Sequence, residues 1–383
     1  MTRKSLLMVG AGLSGAVLAR ELAQAGHRVT VLDARDHVAG NCHTQRDPDT
    51  GVLVHVYGPH IFHTDDQQVW DYVNRFGRFR PYTHRVKTTS GGRVYTMPMN
   101  LHTINQFFDM ALSPQEARAL VAAKAQTLPE PPRNFEEQAL SMLGADLYEA
   151  FFKGYTAKQW GCDPTALPAA ILKRLPLRFS YDDNYFFHRY QGMPEDGYTP
   201  IVAAMLDHPA ITVSLNTRFT KDMARGFDHV FYSGPLDSWF GQDSGALGYR
   251  TLDFERLTHD GDYQGCAVMN YADAAIPHTR ITEHKYFAPW EEHARSVCYR
   301  EVSRACETED IPYYPIRLAE DKSLLSDYIR RARKETGVTF VGRLGTYRYL
   351  DMDVTIREAL DCAAMFRDHA AHDQTMPAFA VTP

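Results

Sequence analysis

The chain has no long apolar run, no surplus of positive charge and no ordered grouping of its cysteines. No stretch approaches the roughly 20 residues that cross a bilayer as a helix, so no membrane span is expected. Lys and Arg number 41 against 47 Asp and Glu, a net charge of -6, with a pI of about 6.3. Nothing general therefore draws the surface to nucleic acid or to an anionic membrane, and an anionic ligand must be held by local arginines. The six cysteines, Cys42, Cys162, Cys266, Cys298, Cys306 and Cys362, stand apart without C-x-x-C spacing or a paired histidine cluster. That suits free thiols in a reducing compartment better than a disulfide framework or a zinc site, and no metal is expected. Met1 to Ser5 is basic, as in a signal peptide, but Gly10 and Gly12 break the apolar run behind it. A cytoplasmic protein is expected.

What is present is clearest at the start. With 383 residues and 44% hydrophobic content, two or three interleaved units are expected. Leu6 to Val9 is a short apolar strand, Gly10-Ala11-Gly12-Leu13-Ser14-Gly15 gives G-x-G-x-x-G, and Ala16 to Ala25 reads as a helix. Arg28 to Leu32 is a second strand, closed by Asp33. Strand, glycine turn, helix and strand-end acid form a dinucleotide site, with the helix N-terminus turned to a pyrophosphate and Asp33 to a ribose hydroxyl. A second glycine segment at Gly40-Asn41 continues round the adenosine in two-dinucleotide flavoproteins, which tilts the ligand toward FAD. In Tyr57-Gly58-Pro59-His60-Ile61-Phe62-His63, Gly58 and Pro59 permit close approach to a flat ring. His60 and His63 suit either a flavin-contacting role or simple hydrogen bonding beside a turn.

Downstream, Asp65 to Phe76 reads as a helix, and His84 to Met97 as a hairpin turning at Gly91-Gly92. Leu101 to Met110, Pro114 to Ala125 and Phe135 to Tyr155 show helical spacing. The last of these runs into Phe151-Phe152-Lys153-Gly154-Tyr155-Thr156-Ala157-Lys158-Gln159-Trp160-Gly161, where Gly154 and Gly161 are expected to end the helix and turn its aromatics to a cleft. Gly197 to His208 reads as a helix, and Val213 to Leu215 and His229 to Tyr232 as strands returning to the nucleotide-binding sheet. From Tyr249 the pattern is all-β: Tyr249 to Leu257, Gly265 to Asn270, Thr279 to His284 and Ser296 to Glu301. Lys322 to Glu335 is helical, Val338 to Arg343 is a buried strand with a Gly-Arg turn, and Val354 to Phe366 is a helix behind the acidic start Asp351-Met352-Asp353. That helix end would stabilise negative charge on a reduced flavin. The tail after Ala370 is expected to be loose.

The stretches Gly154-Tyr155-Thr156-x-Lys158-Gln159-Trp160-Gly161, Asn184-Tyr185-Phe186, Arg189-Tyr190-Gln191, Thr279-Arg280-Ile281, Tyr313-Tyr314-Pro315 and Gly342-Arg343-Leu344 resemble the bacterial UDP-galactopyranose mutases over nearly the whole chain. The resemblance implies an α/β fold: a Rossmann-like FAD-binding domain (1-80, 193-245 and 317-383), an inserted helical domain (99-170), a lid (171-192), and an antiparallel β-sheet substrate domain (81-98 and 246-316). It implies interconversion of UDP-galactopyranose and UDP-galactofuranose by attack of reduced-flavin N5 on the anomeric carbon, with no net redox change. It also implies a UDP-sugar substrate, an external or NAD(P)H-derived electron donor, and a homodimer.

Residue by residue, Arg174 and Arg280 match the pyrophosphate arginines, which suits the forked, always-charged guanidinium. Tyr155 matches the base-stacking tyrosine, with Phe151, Phe152 and Thr156 beside it, and Trp160 the mobile-loop tryptophan. Tyr185, Tyr314 and Tyr349 match phosphate-contacting tyrosines. Arg250, Asn270 and His60 match positions lining the substrate or flavin. Cofactor contacts fall on Gly10, Gly12, Leu13, Ser14, Gly15, Asp33, Gly40, Asn41, His60, Ile61, Arg343, Tyr349, Asp351 and Met352.

Several positions depart from the family pattern. Pro59 replaces a frequent alanine, Glu301-Val302-Ser303 stands for Glu-Tyr-Pro, Val341 precedes Gly342 in place of a glycine, and Leu350 replaces a tyrosine. The change after Glu301 leaves other sugars open, such as UDP-N-acetylgalactosamine or a pentose. A flavin amine-oxidase-like enzyme shares the nucleotide-binding architecture, but has no need for Tyr155, Trp160, Arg174 and Arg280 together. A non-catalytic nucleotide-binding module is the remaining rival.

Overall fold

The computed structural model describes residues 2-174, 177-316 and 321-383, without the side chains at 170, 173, 174 and 321. Its first sheet is parallel, in the order Ile211–Ser214, Arg28–Leu32, Ser5–Val9, His229–Tyr232, Val338–Phe340. Leu6 and Met8 face one side and Leu7 the other, all fully buried. That is why this strand reads as a continuous apolar run. The first face packs on the helices Leu13–Gln24, Tyr198–Leu206 and Met352–Ala371. The second packs on Trp239, Tyr328 and Tyr347.

The second sheet has seven strands, in the order Tyr314–Pro315, Tyr249–Asp260, Arg295–Ala305, Arg280–Glu283, Val268–Tyr271, Val86–Ser90, Arg93–Met97. It is antiparallel except at one seam, where Val86–Ser90 runs parallel to Val268–Tyr271. The purely antiparallel expectation fails there because the early hairpin joins strands made much later in the chain. Between the two sheets lies a small three-stranded one, with Tyr190–Pro194 flanked by Phe62–Thr64 and Phe79–Pro81.

The helical insertion packs on the hairpin through Val86, Tyr95 and Met97. Leu101–Phe108, Pro114–Lys124 and Phe135–Leu143 each begin at a side-chain cap, from Asn100, Ser113 and Asn134 respectively. The expected long helix ending at Gly154 is different in the structure. Ala145–Tyr148 continues into a π-helical segment, Glu149–Lys153, and then into Gly154–Trp160. Gly154 is helical and is a point of close approach: a Cβ there would lie 2.4 Å from the Ala272 carbonyl. Only Gly161, with φ +68°, ends the helix.

The tail is also better anchored than expected. Phe340 N–H donates to Ala378 O at 2.8 Å, Thr339 Oγ1 donates to Pro377 O at 2.8 Å, and Phe379 stacks on Phe340. The tail's proline content hid this role, which is to cover the last strand of the parallel sheet. Among the described residues no helix is long and apolar enough to cross a membrane, and no cluster of three or more metal-ligating side chains occurs.

Candidate active site

The glycine turn holds its shape for two different reasons. A Cβ on Gly10 would stand 2.1 Å from Ser233 Oγ, and one on Gly15 would stand 1.9 Å from the Gly10 carbonyl. Gly10 therefore lets the turn lie against the end of the neighbouring strand, and Gly15 lets the helix lie against the turn. At Gly12 a Cβ would meet only the Gly40 Cα, at 3.8 Å. The helix Leu13–Gln24 starts there without a side-chain cap, so its first N–H groups and the positive end of its dipole are available to an anion. Leu13 and Ser14 are buried in that first turn. Asp33 is already engaged, accepting from Ala11 N–H at 2.8 Å and Arg35 N–H at 2.9 Å. Arg35 in turn donates to Asn41 Oδ1 at 2.8 Å. An open glycine, an uncapped helix end and a backbone-fixed carboxylate fit a dinucleotide cofactor.

A cleft of about 280 Å³ opens between the sheets. From the parallel side come Arg343, Tyr349, Asp351 and Met352, the last two at the start of the helix Met352–Ala371. From the antiparallel sheet come Asn270, Arg280, Glu301 and Tyr314, from the helical insertion comes Tyr155, and from the segment before the strand Tyr190–Pro194 comes Tyr185. His60 and Ile61 close one wall. Gly342 connects cleft and glycine turn, since a Cβ there would lie 2.7 Å from Ser14 Oγ. Eleven of the residues expected at the site thus share one cavity.

Arg280 and Glu301 are register partners on adjacent strands, with Arg280 Nε 3.1 Å from Glu301 Oε1. Burial opposes the Arg280 charge, but Glu301 outweighs it and the guanidinium is held protonated. Burial raises the Glu301 carboxyl above the usual carboxylate range, against the pull of Arg280. Burial likewise raises the phenols of Tyr155, Tyr314 and Tyr185, the last to about 12. All three stay protonated as donors near neutral pH. His60 is pushed down to about 4 by burial and by Arg343. As a neutral ring it donates from Nδ1 to Gly58 O at 2.9 Å, which leaves Nε2 as an acceptor. Arg343 donates to Tyr313 O and Leu350 O and lies 4.9 Å from the Tyr349 ring centre. Asn270 Oδ1 is buried without a hydrogen-bond partner among the described residues, an acceptor suited to a ligand.

Other expected residues sit elsewhere. Phe151 and Phe152 are in the insertion core, not turned to the cleft, because the helix does not end at Gly154. Thr156 is buried in the same helix. Trp160 packs partly against that core. Arg250 does not line the cleft; it is buried and spans Ser303 Oγ at 3.1 Å and the Lys158 carbonyl. The Arg174 backbone lies in the 3-10 turn Ala169–Arg174, and its side chain is outside those described. His63 lines the cleft and contacts His188 at 2.6 Å, Nδ1 to Nδ1. Sequence reasoning missed the pairing role of Glu301 and the cleft residues His84 and Phe186. The alternation of Arg295–Ala305 could have turned Glu301 inward, but its partner depends on register.

Residues 150-349 match the family model described as UDP-galactopyranose mutase. A probable UDP-galactopyranose mutase from Klebsiella pneumoniae is 57% identical over 381 residues, covering 100% of this chain and 99% of the relative. The chain belongs to the UDP-galactopyranose mutase family. It is therefore an isomerase of that type. Membership also agrees with residues 8-76, which match a model described as an NAD(P)-binding Rossmann-like domain. A dTDP-fucopyranose mutase from Escherichia coli is 52% identical over 368 residues, 94% of this chain and 98% of the relative. The fold is that of a crystal structure of reduced UDP-galactopyranose mutase, with a TM-score of 0.75 at 16% identity, covering 97% of this chain and 96% of that one.

Proposed function

We propose that the chain is an FAD-dependent mutase interconverting the pyranose and furanose forms of a nucleotide-bound sugar, UDP-galactose first. One observation carries the reading: a single cleft sets Arg280 and the tyrosine hydroxyls opposite Arg343 and the start of the helix at Asp351. FAD would be held by the turn Gly10 to Gly15, by Asp33, Gly40 and Asn41, and by Arg343 with the helix Met352–Ala371. Reduced flavin supplies a nucleophile for the anomeric carbon without net oxidation. Arg280, kept cationic beside Glu301, holds the pyrophosphate charge as it develops on the leaving nucleotide, and Arg174 is its proposed companion. Tyr185, Tyr314 and Tyr349 donate to the same anion, and Tyr155 stacks on the base. Neutral His60 offers an acceptor and adds no competing positive charge. Closure around the sugar excludes water that would otherwise hydrolyse it.

The 57% identical relative supports UDP-galactose by its name. A second reading, dTDP-fucose, is favoured by the name of the 52% identical relative. An external or NAD(P)H-derived donor for the flavin and a homodimeric state belong to the same proposal. The test incubates dithionite-reduced and oxidised enzyme with UDP-galactopyranose, dTDP-fucopyranose and UDP-N-acetylgalactosamine, and separates the furanose products. Furanose from the reduced enzyme alone is expected. Stoichiometric consumption of an oxidant, or equal turnover in both redox states, would overturn the reading in favour of an oxidoreductase or of flavin-independent chemistry.

A further inference from the structure

Lys158 is a lysine whose ammonium serves backbone alone. Its Nζ donates to the carbonyls of Tyr271, Asp273, Ile276 and His278 at 2.7, 2.9, 2.9 and 3.1 Å. These four belong to one turn, the one closing the hairpin of Val268–Tyr271 and Arg280–Glu283. At the mouth of that hairpin Asn270 and Arg280 are register partners, and both line the cleft. Lys158 itself sits less than one helical turn beyond Tyr155, which lines the cleft from the other side. Gly154, close against the Ala272 carbonyl, gives the same helix a second seat on the same turn. At the carboxyl end of the helix, Ser303 Oγ donates to Gln159 O at 2.7 Å and accepts from Arg250 Nε. The helix is thus pinned at both ends. The hairpin turn also takes bonds from the neighbouring hairpin, Gly91 N–H to Asp273 Oδ1 and Ala272 N–H to Thr89 O, but Lys158 is what ties it to the helix through four carbonyls.

We infer that Lys158 is a positioning residue that locks the helix of Tyr155 and Trp160 to the hairpin of Asn270 and Arg280, so that the groups gripping the nucleotide keep one mutual geometry. A surface lysine does not do this, since convergent carbonyls bind an ammonium only when the chain is folded round it. The charge matters: three N–H donors shared among four acceptors give charge-assisted bonds, stronger than neutral ones. Burial lowers the ammonium to about 8, with Asp273 opposing, so the lock is present at neutral pH. The titratable groups facing it are Asp273 and His278 of the turn, with His278 itself lowered by burial, Arg300 and Lys158.

The inference rests on the mutase reading for its kinetic arm only. Lys158→Met keeps the stem and deletes the cation. Amide hydrogen exchange is expected to rise together in residues 271-278 and 154-160, with the parallel sheet unchanged. The kcat for furanose formation is expected to fall at least about tenfold, the scale of one charged hydrogen bond, with KM changing less than kcat. Lys158→Ala leaves the four carbonyls for a small cation, and methylammonium is expected to restore turnover and exchange protection where tetramethylammonium, without N–H donors, does not. Wild-type exchange in 271-278 of the methionine variant would overturn the inference, as would rescue by both cations or by neither. If wild type turns over no nucleotide sugar, the mutase reading fails and the exchange data alone decide on Lys158.

Discussion

The two halves of the cleft are equipped in different ways. On the parallel-sheet side the equipment is mainly backbone: the glycine at 12 left open, helix N–H groups, and a carboxylate pinned by two amides. On the antiparallel side it is side chains: Arg280 with Glu301, Asn270, and phenols kept protonated by burial. A backbone site depends on residues that lack side chains and tolerates change around them. A side-chain site depends on register and pKa, so single substitutions should disable chemistry while the first half still holds its cofactor.

The largest effect expected from that contrast is Arg280→Ala. Loss of one preorganised donor to a developing charge lowers kcat by about 10²–10³-fold, while the visible flavin absorbance is retained. Steady-state kinetics beside a spectrum checks it, and a colourless variant would show that the halves are not separable. The mirror experiment is Gly15→Ala. A methyl 1.9 Å from the Gly10 carbonyl forces strand and helix apart, at about 1–3 kcal/mol, and cofactor content should fall first. Thermal unfolding and the flavin-to-protein ratio measure the two effects.

A smaller effect concerns pH. Burial holds His60 and His229 at about 4 and His84 and His284 at about 3, against 6.5 for a free ring. Because the unfolded chain takes up these protons first, their contribution is complete above about 6.5. It is lost as the pH falls from there toward about 4 and then 3. Three of the four lie at or beside the cleft and the antiparallel sheet, and His229 in the parallel sheet. Tm is therefore expected to drop between pH 7 and 5, with amides of the antiparallel half losing exchange protection first. The smallest expected effect on turnover is Ser303→Ala. It removes two partly buried hydrogen bonds, to Gln159 O and from Arg250 Nε, about 0.5–1.5 kcal/mol each, and should lower Tm with retained cofactor and modestly altered KM.

The same contrast explains what could be read in advance. The strands at 28-32 and 229-232 stand where their apolar runs placed them, and the glycine turn lies where G-x-G-x-x-G put it, since backbone requirements are written in local residue types. Gly154 misled because a glycine chosen for close approach to Ala272 looks, in sequence, like one that ends a helix. The π-helical segment at 149-153 has no local signature, so Phe151 and Phe152 were turned to the cleft when they belong to the core. Glu301 was invisible as a partner because pairing with Arg280 is a property of two strands separated by a turn and a long loop. Arg250 was given to the substrate on resemblance, and the structure employs it at the end of the helix Gly154–Trp160.

The order of strands in the parallel sheet has a consequence for how the chain is made. The Ser5–Val9 strand is translated before its neighbour His229–Tyr232 and the Ser233 that bonds back to Val9, which comes 224 residues later. At about 5–20 residues per second the ribosome takes roughly 10–45 s to deliver them. Through that interval the nascent strand keeps one backbone edge unpaired beside the apolar side chains of Leu6 to Val9. Expression yield should therefore depend on elongation speed and on chaperone supply more than on the stability of the finished enzyme.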